Sequence, residues 1–246
     1  MVLWGITHKI LGMFFFIGFI FFAIIYFFFI TSSKSTQKTQ QAFSGVKYLP
    51  LGDSYTIGEG VLENERWPNI LIDHALRDHI QIRIVENPSR TGYTTQNLID
   101  EELPLVASTK PYVVTVMIGV NDWVQGVPAV TFQKNLTFIL QSIQSSIKNK
   151  NILLVTIPDF SVTPVGKQYA NGRDIAKGIA EFNVIIHHEA ERRGLPLADI
   201  YPISQKMKTV DGLINPDGLH PSAKEYALWE EIIYAQFKTL ISSKTP

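Results

Sequence analysis

The chain has 246 residues, 46% hydrophobic and 18% charged, and its 22 basic and 22 acidic side chains balance to a net charge of zero. With that balance and no basic run interleaved with aromatics, the sequence offers no electrostatic footprint for nucleic acid. It contains no cysteine, which excludes disulfides, thiol nucleophiles and cysteine-ligated zinc.

In chain order, residues 1–9 form a short flank ending in Lys9, and the run from Ile10 to Ile30 carries no charge. As a helix rising about 1.5 Å per residue, that run would span about 31 Å, against a hydrocarbon core of about 30 Å. It reads as a membrane anchor. The alternative is the apolar core of a signal peptide cleaved near Thr31 and Ser33, although such cores usually run about 7–15 residues. Lys9 before the run and Lys34 and Lys38 after it slightly oppose export, because basic residues favour the cytoplasmic side. Residues 31–45 are small, polar and aperiodic, as expected of a tether, and one folded domain is expected over 46–246.

Within that domain, short runs of branched side chains alternate with longer amphipathic ones. Strands are expected at 46–51, 80–86, 112–119, 151–158 and 195–200, and helical spacing covers 66–79, 94–105, 129–149 and 173–194. This alternation implies an α/β fold in which helices cover both faces of a parallel sheet. Ligands in such folds bind beyond the carboxyl ends of the strands.

Chemistry-bearing residues fall at those ends. The first run finishes in Gly52-Asp53-Ser54-Tyr55, where Ser54 either caps the following helix or is held up as a nucleophile. The second leads to Gly92, with Thr94 and Thr95 both placed to cap the next helix. The third leads to Gly119, Asn121 and Asp122. Each has a plain structural reading as a turn or a positive-φ glycine. The last block holds Asp217, His220 and Pro221. A helix is signalled after it by Ser222 and Glu225 at capping-box spacing and by Tyr226, Trp229, Ile233, Phe237 and Leu240 on one face. An aspartate three residues before a histidine can accept the Nδ1 proton and leave Nε2 as a base; the plain alternative is an Asp-Gly turn beside an exposed histidine.

In this order the four blocks resemble the SGNH (GDSL) hydrolase family, from about Val46 to Ile241. The resemblance implies a three-layer α/β/α sandwich with a flavodoxin-like sheet of order 2-1-3-4-5, preceded here by the transmembrane segment. It also implies serine-dependent, cofactor-free hydrolysis of a carboxylic ester or thioester, with a lipid or acylated glycan as substrate. Carried over by residue, it makes Ser54 the nucleophile, His220 the general base and Asp217 the group that orients the imidazole. The Ser54 and Gly92 N–H groups and the Asn121 amide become the oxyanion hole. Ser54 Oγ and His220 Nε2 are then expected within about 3.5 Å, or near it without ligand. Family members with such leaders usually work outside the cytoplasm, so an extracytoplasmic domain is expected. An acyltransferase and a tethered, non-catalytic binding module are the alternatives.

Two residues depart from the pattern. Tyr55 stands where the family's older name has leucine, and Pro50, which lacks an N–H, lies in what should be a central strand. Tyr55, Tyr93, Trp123 and Phe160 lie near strand ends and are expected either to line the cleft or to pack beneath its loops. Other motifs point elsewhere only weakly. "GDSYTIGEG" has no phosphate-loop lysine, and Thr56 takes the second glycine position of a Gly-x-Ser-x-Gly elbow. His187 and Glu191 have ligand-like spacing but fall short of three zinc ligands, so no metal is expected. The Asn135-Leu136-Thr137 sequon falls on a helix and is read as chance.

Overall fold

The structure is a computed structural model and describes Tyr26, residues 43–147 and residues 151–242. The branched runs become β1 Val46–Gly52, β2 Ile82–Ile84, β3 Val113–Met117, β4 Ile152–Val155 and β5 Leu197–Ala198. All neighbours are parallel, in the order β2-β1-β3-β4-β5. β3 and β4 are buried throughout and β1 almost so, as strands covered on both faces must be. Several strands are shorter than their apolar runs. β3 stops at Met117 because Gly119 turns the chain at φ 128°, where an added Cβ would lie 2.6 Å from the Phe132 ring.

The helices are α1 Ser54–Ile57, α2 Trp67–Arg77, α3 Thr95–Asn97, α4 Leu103–Thr109, α5 Val120–Val124, α6 Ala129–Ser146, α7 Ile175–Arg193, α8 Tyr201–Ser204 and α9 Ala223–Ile241. α2 packs on α9 to form one layer, and α6 packs on α4 and α7 to form the other. In the first layer His74 stacks on Tyr234 with ring centroids 3.8 Å apart, and Asp78 accepts hydrogen bonds from Tyr234 Oη and Lys238 Nζ, both at 2.7 Å. α9 buries Tyr226, Trp229, Ile233 and Phe237 as its spacing predicts, and Ser222 caps it by accepting from the Glu225 N–H. The Glu225 side chain does not complete a capping box. It accepts from Trp229 Nε1 at 2.6 Å, while the Ser222 N–H donates to the Leu213 carbonyl.

Pro50 is tolerated because of where its nitrogen points. In β1 the even-numbered residues turn their backbone groups toward β2: the Val46 N–H donates to Gln81 O, and Tyr48 O accepts from the Val85 N–H. β2 ends at Ile84, so Pro50 omits a bond that no strand offers to accept. Two residues further on, the Gly52 N–H meets the same gap and donates instead to Glu102 Oε2 at 2.9 Å. Glu102 reaches that place from a widened, π-type turn over Leu98–Glu102, which joins α3 to α4. Pro104 accounts for the widening, since it lacks an N–H and its ring crowds the preceding turn.

Burial pushes the Glu102 carboxyl up to about 8, and the neighbouring Asp53 adds to the shift. Burial likewise lifts Asp53 to about 8. Both groups keep a proton in the fold at pH values where the unfolded chain has released it. Stability therefore falls as pH rises from the ordinary 4.5 of a glutamate towards 8. Glu102→Gln retains an acceptor for Gly52 and has no proton to lose. It is expected to remove about 1 kcal/mol per pH unit from that slope, or about 2–4 °C in Tm. Thermal melts between pH 5 and 8 read this directly, and equal slopes in the two proteins would refute a buried Glu102 proton.

Among the described residues no helix is long and apolar enough to cross a membrane. The anchor expected over 10–30 lies outside the described residues, apart from Tyr26, which is helical. Ser44–Pro246 forms one compact unit.

Candidate active site

Ser54 opens α1 immediately beyond β1, whose neighbours β2 and β3 place it at the point where strand order reverses. The turn that carries it is fixed on several sides. Asp53 caps α1 by accepting from the Tyr55 N–H at 3.0 Å, and buried Trp67 donates from Nε1 to the Tyr55 carbonyl at 3.1 Å. Gly52 must be glycine here, because a Cβ would lie 2.3 Å from Thr56 Oγ1 and 2.4 Å from Met117 O.

The segment before α9 brings Asp217 and His220 to the same end of the sheet. Asn215 ties it down: its N–H donates to the His220 carbonyl at 2.8 Å, and its Nδ2 donates to Gly60 O at 2.6 Å, joining this loop to the one after Ser54. His220 Nδ1 donates to Asp217 Oδ2 at 2.6 Å, which leaves Nε2 as the nitrogen free to accept a proton. Asp217 Oδ1 accepts from the Leu219 and His220 N–H groups at 2.8 and 2.9 Å. Partial burial alone would raise the Asp217 carboxyl, but these three bonds outweigh it and hold the group below the usual carboxylate range. Tyr55 meets the imidazole edge to face at 5.8 Å. Among the described residues Ser54 Oγ and His220 make no hydrogen bond, although both line one cleft; catalytic bonds commonly tighten only when substrate enters.

Across the cleft stand the candidate oxyanion donors. Gly92 has φ +83°, and its carbonyl accepts from Gln125 Nε2 at 3.4 Å. Asn121, in α5, donates from Nδ2 to the Tyr93 carbonyl at 2.9 Å. An amide carries two such hydrogens, so the second remains for a ligand. Asp122 has a structural task. It accepts from the Thr95 N–H at 2.8 Å and from Thr95 Oγ1, and Asn135 Nδ2 donates to the same hydroxyl at 3.0 Å. Thr94, not Thr95, caps α3.

The cleft has a volume of about 260 Å³ and brings together Ser54, Gly92, Asn121 and His220, with Tyr55 and Phe160 in its walls. Tyr93 and Trp123 are not wall residues. The Tyr93 hydroxyl is drawn to Glu101 and its ring lies under Arg90, while Trp123 is buried behind Phe160, with the Arg173 guanidinium 4.1 Å from its ring. Sequence reading missed Glu59, Thr91, Val120, Val124, Tyr169 and Leu219, which complete the wall. Glu59 alone was within reach of inspection, as a carboxylate five residues after the serine in the same glycine-rich loop. His187 faces Asp199 at 3.6 Å, and among the described residues no three potential metal ligands cluster.

A serine hydroxyl, an imidazole oriented by a carboxylate, and N–H donors opposite them are the parts needed for acyl transfer through a covalent intermediate. A sequence model of the GDSL-like lipase/acylhydrolase family matches residues 51–228. An arylesterase of Vibrio mimicus is 30% identical over 176 residues, which is 71% of this chain and 80% of that protein. Esterase TesA of Pseudomonas aeruginosa is 23% identical over 203 residues, 82% of this chain and 92% of its own. The solved structure of a lipase/acylhydrolase from Enterococcus faecalis superposes with a TM-score of 0.65 at 22% identity, over 79% of this chain and 96% of that one.

Proposed function

The chain belongs to the GDSL-like lipase/acylhydrolase family and is a serine ester hydrolase; from that premise we propose that Ser54 is its nucleophile and that its substrates carry short acyl chains. His220 Nε2 takes the Ser54 proton as the hydroxyl attacks the ester carbonyl, and Asp217 holds the imidazole in the required tautomer. The oxyanion is met by the Ser54 and Gly92 N–H groups and the Asn121 amide. His220 then protonates the leaving alcohol, and water repeats the cycle on the acyl-enzyme.

The observation that carries the acyl-length reading is the cleft volume of about 260 Å³, with the rings of Tyr55, Phe160 and Tyr169 in its walls. Drug-sized ligands usually occupy about 300–1,000 Å³, so a long acyl chain would have to leave the cleft and lie on the surface. Across 4-nitrophenyl esters from acetyl to laurate, kcat/KM is expected to be highest for the shorter chains and to have fallen at least about tenfold at laurate. Laurate turned over as fast as butyrate would overturn the short-acyl reading.

We further propose that residues 10–30 anchor the enzyme in a membrane with its catalytic domain outside the cytoplasm. The support is the uncharged run of bilayer length followed by a polar tether. On fractionation of expressing cells, the full chain should resist alkaline carbonate extraction and be cut by protease added to intact cells; release by carbonate or protection from protease counts against it.

A further inference from the structure

The catalytic reading leaves one charged wall residue without a task. Glu59 follows the nucleophile turn and places Oε2 3.9 Å from His220 Nε2. The same oxygen accepts a hydrogen bond from Thr91 Oγ1, so the side chain bridges the mouth of the cleft from the serine loop to the loop carrying Gly92. Among the described residues Glu59 Oε1 has no hydrogen-bond partner, and the side chain is 40% exposed, open to whatever enters. None of the residues lining the cleft is a lysine or arginine, and the Asp217 carboxylate stands behind the imidazole.

His220 Nε2 fixes which part of a substrate meets this charge. The nitrogen that protonates the leaving oxygen must face the alcohol side of the ester, and Glu59 stands beside that nitrogen. A phosphate or carboxylate on the alcohol would be brought close to a like charge, with no lysine or arginine in the cleft wall to offset it. A hydroxyl there has a carboxylate oxygen to donate to.

We propose that Glu59 selects substrates by the charge of their alcohol portion, admitting esters of uncharged, hydroxyl-bearing alcohols and rejecting those of phosphate-bearing ones. This rests on the ester-hydrolase reading with His220 as the proton donor. It narrows the substrate class to acylated sugars or polyols and sets anionic lysophospholipids, whose phosphate lies two carbons from the ester-bearing carbon, aside. Like charges about 6 Å apart at a partly exposed site repel enough, after screening, to change a rate ratio about tenfold.

The test compares two substrates that differ only in the phosphate, the butyryl esters of glycerol and of glycerol 3-phosphate, using the full chain at low ionic strength. The wild type is expected to show a higher kcat/KM for the neutral ester. In Glu59→Gln, whose amide oxygen can still accept from Thr91, the ratio should narrow about tenfold, and Glu59→Asp should retain it. Raising the salt to about 0.5 M should shrink the wild-type ratio and leave that of Glu59→Gln unmoved, a response that a purely structural role would not produce. A ratio equal in wild type and Glu59→Gln, or a wild type that prefers the phosphate ester, overturns the proposal. Calorimetric binding of both esters to Ser54→Ala gives the same ratio without turnover. A protein that binds selectively but hydrolyses neither ester would leave charge discrimination by Glu59 standing and count against His220 as the proton donor that sets the alcohol side.

Discussion

Ser54→Ala, His220→Ala and the double variant are expected to fall to one common residual kcat, on the order of a million-fold below wild type. The argument rests on shared function. The Ser54 hydroxyl is too weak an acid to attack without a base, and His220 Nε2 has no proton to take once the hydroxyl is gone. Removing either group therefore forfeits the whole proton-transfer route, and removing the second costs little more. Asp217→Asn should fall less, by about ten thousand-fold, because the imidazole survives but loses the acceptor that fixes its tautomer. Steady-state rates on 4-nitrophenyl butyrate, with circular dichroism to verify folding, decide the matter. A His220→Ala protein that kept a tenth of its activity would remove His220 from the chemistry.

Asn121→Ala should lower kcat by about a hundred- to a thousand-fold with little change in KM. In the proposed role the free amide hydrogen meets an oxygen that is charged only in the transition state, so its loss would leave ground-state binding nearly untouched. Asn121 also holds the Tyr93 carbonyl at 2.9 Å, next to Gly92, which gives a competing structural account. The two accounts separate kinetically. A rise in KM with kcat preserved would mean that Asn121 merely shapes the loop.

The parts legible beforehand were those with local signatures. A glycine-aspartate-serine turn after an apolar run, and an aspartate three residues before a histidine at a capped helix, are short-range patterns, and the structure places all of them at one end of the sheet. Tyr93 and Trp123 were harder because an aromatic near a strand end has no periodicity to say which way it faces. A carbonyl directs one loop, and the packing of Phe160 buries the other ring. Glu102 was hidden for another reason. Its stretch reads as an ordinary amphipathic helix, in which a glutamate belongs on the wet face, and only the widened turn before Pro104 swings it into the gap beside β1. That gap exists because β2 is short, a fact of sheet pairing between segments far apart in the chain.

The arrangement also has a consequence for timing during synthesis. Ser54 and the candidate oxyanion donors belong to the first half of the domain, whereas the imidazole sits just ahead of α9, the last helix described, whose Tyr226, Trp229, Ile233 and Phe237 hold that helix against the sheet and α2. A nascent chain that has released β1 to β4 already carries the candidate serine and oxyanion donors, yet it has no anchored imidazole until α9 emerges and docks. Hydrolytic activity is thus expected only once α9 has docked, so an elongating chain that lacks this helix should be inert.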